Sequence, residues 1–117
     1  MLQGFDDRGF TERVLEWIPG ADRVQLRLMF GGVGLFEHNA MFAISVNNQL
    51  YLKADSETRT EFEQRGLEPF HYDRADHSLT LDFYQAPPEV FVRANTMAQW
   101  VNRARTSAFR AKASNAA

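Results

Sequence analysis

The stretch Arg27–Asp55, RLMFGGVGLFEHNAMFAISVNNQLYLKAD, decides how this chain folds. Gly31, Gly32 and Gly34 crowd its first part, with Phe-rich runs on either side. A dinucleotide-binding fingerprint would need a further glycine at position 37, where Glu37 stands. A phosphate-binding loop would need Gly-Lys-Ser/Thr opening a helix, and neither the lysine nor the helix pattern follows. The flanks have strand periodicity instead. Val24, Leu26, Leu28 and Phe30 alternate with Arg23, Gln25, Arg27 and Met29, so a strand with one buried face is expected there. Ala40–Val46 reads as a second strand and Leu50–Ala54 as a third. A three-residue loop, Asn47-Asn48-Gln49, would pair Val46 with Leu50, Ile44 with Leu52 and Phe42 with Ala54. That register keeps one face wholly apolar and is the one expected. The glycines then form a corner between two strands, where φ > 0 or close backbone approach excludes a side chain. The alternative use of this corner, Gly31–Gly34 with Arg27 and Lys53, is an anion-binding nest.

Helices lie outside this stretch. Phe10, Val14, Trp17 and Ile18 form one stripe, so a helix is expected from Asp6 to Ile18, capped by Asp6 or Asp7 and ended by Pro19-Gly20. The run DSETRTEFEQRG reads as a short helix capped by Asp55 or Ser56 and closed by Gly66; Phe62 is its one large apolar residue, so most of it faces water. LEPFHY and SLTLDFY are two more strands around a turn at Asp73–His77. Met97, Trp100, Val101, Ala104 and Ala108 make the buried stripe of a last helix opened by Asn95 or Thr96. The expected fold is a two-layer α+β domain, an antiparallel sheet with flanking helices in the order α-β-β-β-α-β-β-α. It occupies residues 1–112, with 113–117 as a disordered tail.

With 117 residues, the chain is the size of one domain and can bury a core without staples. It has no cysteine, which excludes disulfides and thiolate chemistry. The opening MLQGFDDRGF lacks the basic and apolar regions of a signal peptide, and the apolar runs are too short to span a bilayer. A cytoplasmic protein with no membrane contact is expected. His38, His71, His77, Asp73 and Asp76 match no tight metal-ligand spacing, and no serine sits in a nucleophile-elbow context. No catalytic residue, metal or cofactor is therefore assigned, and the chain is not read as an enzyme. Tyr51, Tyr72 and Tyr84 could stack bases on an open sheet face, but few cations interleave with them, and a core role is the better reading. Every acidic residue precedes position 90, and Arg93, Arg103, Arg105, Arg110 and Lys112 follow. On the last helix Arg103 and Arg110 flank the buried stripe, placed to meet an acidic partner.

The residues also carry a resemblance. Arg27-x-Met29-Phe30-Gly31-Gly32-Val33-Gly34-Leu35-Phe36, then Met41-Phe42-Ala43, then Leu50-Tyr51-Leu52-Lys53-x-Asp55, resembles the N-terminal domain of the TfoX/Sxy family. Gly66, Pro69-Phe70-x-Tyr72, Phe83-Tyr84, Pro88-Glu89 and Trp100 continue the match to about Arg110. The resemblance implies a fold like that of secretion chaperones. It implies a regulator of competence (DNA-uptake) genes working through protein contacts, with a cyclic-AMP receptor protein type of transcription factor as the expected partner; a homodimer is a separate candidate assembly that the resemblance does not supply. It supplies no catalytic residue. Longer family members carry a second, C-terminal domain.

Net charge is −2, whereas a free-standing DNA reader is usually basic. The isolated domain is expected to show only weak, salt-sensitive retention of duplex DNA in gel shifts at physiological salt. Tight retention of one promoter fragment over others would contradict this.

Overall fold

The computed structural model describes residues 3–74 and 77–116. Helix α1 (Gln3–Trp17) leads through a 3₁₀ turn to four consecutive strands, β1 (Gln25–Met29), β2 (Gly32–Glu37), β3 (Ala40–Val46) and β4 (Gln49–Lys53). Helix α2 (Arg59–Gln64), strands β5 (Pro69–Arg74) and β6 (His77–Gln85), a 3₁₀ turn (Pro88–Phe91) and helix α3 (Ala94–Ala116) complete the chain. The strands form one antiparallel sheet in the order β1-β2-β3-β4-β6-β5. The α+β class, and helices flanking antiparallel strands, are as expected. Helix α1 starts at Gln3, so Asp6 and Asp7 fall inside it, and α3 stays helical to Ala116, beyond the expected start of a tail. The turn between β5 and β6 is tighter than expected: Asp73 pairs with Ser78 and Arg74 with His77, and its tip lies outside the described residues.

One element differs from expectation. Gly32–Glu37, expected as part of a corner, is itself a strand. The corner is only Phe30-Gly31, both at positive φ (56° and 76°), between the paired residues Met29 and Gly32. The next two connections repeat this geometry, with His38-Asn39 at 54° and 61° and Asn47-Asn48 at 52° and 59°. Two-residue turns with both φ positive match the right-handed twist of the strands they join. The second of them had no sequence signal beyond Asn39.

The β3–β4 register also differs. The turn holds two residues, so Val46 pairs with Gln49, Ser45 with Leu50, Ile44 with Tyr51 and Ala43 with Leu52. The expected register assumed that only one face of β3 is apolar. Both are. Ala43, Leu50 and Leu52 join the core under the helices, while Ile44, Val46 and Tyr51 join a second cluster on the other face. A bulge completes the pattern: Leu35 pairs with Ala43 and Phe36 with Met41, leaving Phe42 as the extra residue. Phe42 and Ala43 are consequently both buried on the helix side.

Helix α3 lies across β3 and β4, and α1 across β2 and β3. The expected stripes are largely buried: Phe10 and Val14 on α1 with Ile18 just past its end, Trp17 being only partly buried, and Met97, Trp100, Val101, Ala104 and Ala108 on α3. The expected buried face of β1 is not. Leu26 and Leu28 are 47% and 89% exposed, because the helix layer stops at β2. On the opposite face the sheet curls: Phe30, at the β1–β2 turn, meets Phe70 and Tyr72 of β5 at ring distances of 6.0 and 5.2 Å. The two edge strands thus approach each other around a second core of Ile44, Val46, Phe70 and Phe83.

The glycines separate into two kinds. Gly31 has open space for a side chain but a backbone that L residues resist. Gly32 has an ordinary φ, but a Cβ would stand 2.4 Å from the Ser45 carbonyl oxygen and 2.6 Å from Val46 Cβ. Gly31→Ala should cost about 1 kcal/mol, with Asn tolerated better, and Gly32→Ala about 2–3 kcal/mol with no rescue by Asn. Urea melts of the four variants, Ala and Asn at each position, check this order.

Candidate functional site

The residues singled out from sequence fall on opposite faces of the sheet. Arg27, Met29, Phe30, Gly34, Tyr51 and Lys53 belong to the face without helices. Aromatic packing organises that face: Tyr51 meets Phe70 edge-on at 5.0 Å, and Phe30 meets Tyr72. Gly34 makes room for it, since a Cβ there would lie 2.9 Å from Met41 Sδ and 3.1 Å from Met29 Sδ. The two cations lie over rings. The Arg27 guanidinium sits 4.5 Å from the Phe36 centroid, and Lys53 Nζ 5.1 Å from that of Phe83. Neither has a carboxylate partner among the described residues, and Arg27 only donates a long hydrogen bond (3.4 Å) to Asn39 Oδ1. Strands β2 and β3 stand between them, which is about 14 Å of sheet. They do not converge on the glycine corner. Tyr84 lies on the other face, in the core beneath the helices.

Asp55, Trp100, Arg103 and Arg110 sit on the helix side and hold α2 in place. Phe62 anchors α2, stacked on Tyr84 at 5.3 Å and edge-on to Trp100 at 5.3 Å. Around it, every charged side chain from Asp55 to Arg65 reaches another element. Arg110 Nε donates to Asp55 Oδ2 at 2.7 Å and lies 3.4 Å from Glu57. Arg59 forks onto Asp82 of β6 at 2.8 and 3.0 Å, and Arg103 donates to Glu61 at 2.6 Å. The Tyr84 hydroxyl donates to Glu63 at 3.1 Å, and Arg65 pairs with Glu89. Trp100 is flanked by the Arg65 and Arg103 guanidinium groups at 5.5 and 4.8 Å. Arg103 and Arg110, expected to face an acidic partner, thus spend their charge on acids of this chain.

The expected cap at Asp55 takes a different form. The helix N-cap is Thr58, and Asp55 Oδ1 accepts from the Glu57 and Thr58 N–H groups ahead of it. The Arg110 hydrogen bond, helped by these backbone donors, holds the Asp55 carboxyl below its ordinary range against the opposing effect of burial. The Arg65 hydrogen bond lowers Glu89 in the same way. Arg110 and Arg59 are raised chiefly by their hydrogen bonds to Asp55 and Asp82. Tyr84 is raised by burial first and by Glu63 second.

Arg105 was not singled out from sequence. Its Nη2 donates to the Pro19 carbonyl at 2.8 Å, its Nη1 to Asn102 Oδ1 at 3.0 Å, and its guanidinium covers Phe42 at 5.2 Å. Its Nε lies 2.9 Å from Glu37 Oε1, an ion pair whose N–H does not aim at the oxygen. The signal was its spacing: Val101 and Ala108, four before and three after, are both buried, which puts Arg105 beside the stripe. Glu37, His38, Phe42, Arg105 and Phe109 line a shallow depression with room for about one water. Among the described residues no cluster of His, Asp and Glu could hold a metal ion, and His71 Nδ1 is 2.9 Å from Thr80 Oγ1 of the neighbouring strand. No helix among them is long and apolar enough to cross a membrane.

Fold and surface together define a class: a small α+β domain with helices on one face of a curled antiparallel sheet. The family follows from the sequence it is built on. The TfoX N-terminal domain model matches residues 16–108, and the chain belongs to that family. It is 33% identical over 73 residues to the DNA transformation protein TfoX1 of Aliivibrio fischeri, covering 62% of this chain and 35% of the relative. It is 31% identical over 75 residues to the DNA transformation protein TfoX of Haemophilus influenzae, covering 63% and 35%. The match thus spans about a third of the length of these relatives.

A carboxylate whose pKa is lower folded than unfolded stabilises the fold fully above the unfolded value, near 3.9, and loses that contribution as pH falls through the folded one. Stability should therefore hold from about pH 7 down to about pH 5 and drop below about pH 4. Asp55→Asn should cost about 1 kcal/mol at neutral pH and remove part of the acid drop. Urea melts of both proteins across this range measure it; parallel pH curves would assign the drop to other groups.

Proposed function

We propose that this domain is a non-enzymatic regulatory module of DNA uptake, acting in the cytoplasm through contacts with other proteins. The observation that carries the reading is the family match over residues 16–108, with two relatives named as DNA transformation proteins. The surface supports it. The exposed apolar residues of β1, Leu26 and Leu28, offer contact area, while Arg103 and Arg110 of the last helix are already paired. Transcription of the uptake genes is the step it modulates in this reading, with a cyclic-AMP receptor protein type of factor as its partner. Deleting the gene and measuring both uptake-gene transcripts and transformation frequency tests the proposal. Both should fall and return on complementation; unchanged transcripts would remove the regulatory claim.

A further inference from the structure

Strand β1 is the terminal strand of the sheet, and its outer edge has no strand beside it among the described residues. Every second residue of such a strand turns its N–H and C=O outward, and proteins usually guard that edge with a proline, a bulge or a projecting charge. The opposite edge follows this rule: β5 opens with Pro69, and a register shift follows it. Strand β1 has neither. Its pairing with β2 is regular from Gln25 to Met29, and its one charge, Arg27, lies over the Phe36 ring instead of projecting. On the helix-side face Leu26 and Leu28 are 47% and 89% exposed. On the other face Arg27 has no carboxylate partner among the described residues.

We propose that the outer edge of β1 accepts an extended segment of another protein as a further strand, with an acidic side chain opposite Arg27 and apolar side chains beside Leu26 and Leu28. Main-chain hydrogen bonds supply the affinity and the alternating side chains the selectivity, as in other strand additions. Charge decides between a foreign segment and a second copy. From Val24 to Gly31 this chain has no acidic residue, so pairing β1 with β1 of a copy leaves Arg27 without a carboxylate. The antiparallel register that sets Leu26 against Leu28 would place the two Arg27 side chains directly opposite, which is destabilising. This deepens the protein-contact reading above by naming the partner's chemistry. It is tested on the purified chain, so its failure leaves the transcript experiment unaffected.

The probe is a capped peptide, Thr-Val-Glu-Val-Glu-Val-Thr, with Thr-Val-Lys-Val-Lys-Val-Thr as its twin, titrated into the full chain and followed by backbone amide NMR. The expected result is shifts centred on Gln25–Met29, with the Glu peptide preferred by roughly fivefold. Arg27→Glu should reverse that preference, and Leu28→Ser, at an already exposed position, should weaken both peptides. The absence of β1 shifts, shifts centred elsewhere, or a preference unchanged by Arg27→Glu would overturn the proposal. So would a concentration-dependent dimer whose NMR interface is β1, since the edge would then belong to a second copy.

Discussion

Strand β3 is dry on both faces, and most of the architecture follows from keeping it so. Phe42, Ala43 and Ser45 lie under the helices, and Ile44 and Val46 face the other way. A strand buried on both sides needs two covering layers, yet the helices supply only one. The sheet supplies the second by curling until the Phe30 turn meets β5. Curling of this degree requires tight, strongly twisted connections, which the three turns with positive φ provide. It also brings β2 close against β3, and there Gly32 and Gly34 leave room for Val46 and Met41. Gly32 and Gly34 are conditions of packing in this fold.

The polar interactions follow the same division. Ser45, facing α1 from the buried strand, shares a 2.8 Å hydrogen bond with Thr11, which leaves neither hydroxyl stranded in the core. Helix α2 is too short to hold itself and has one apolar anchor, Phe62. Its charged residues therefore do the positioning, each fastened to β6, α3 or the 3₁₀ turn before α3. Single exposed pairs contribute little. Here they surround a buried aromatic group and fix its geometry. Arg105 plays the matching part at the other side of α3, joining it to the end of α1 and to β2.

With the charges around α2 satisfied internally and the aromatic face closed into a second core, the fold leaves open Arg27 and Lys53 at the margins of that face, and the unguarded edge of β1. This distribution suits a domain whose relatives are named for DNA transformation and whose family is defined by a fold-wide motif. The motif residues Phe30, Tyr51 and Lys53 line one face, while Asp55 and Trp100 secure the other. The motif thus reads as a description of how the domain is built, with function left to what is exposed around it.

How much was legible in the sequence depends on the range of the physics involved. Helical stripes and strand alternation are local, so α1, α3, β3, β4 and β6, the α+β class and the family resemblance could all be read from residue order. The closing glycine Gly66, at φ 70°, is equally local. The identity of β2 was hidden because Gly32 and Gly34 resemble turn punctuation until Val46 and Met41 press against them. The β3–β4 register was hidden because the reading assumed one apolar face, and only the curl of the sheet creates a dry second one. The exposure of Leu26 and Leu28 depends on where the helix layer ends, and alternation in β1 carries no record of that. Arg103 and Arg110 looked free because their acids, Glu61 and Asp55, lie more than forty residues away along the chain. Periodicity determines which face of an element is apolar; only the packing of elements decides what meets that face, and which charges are already answered.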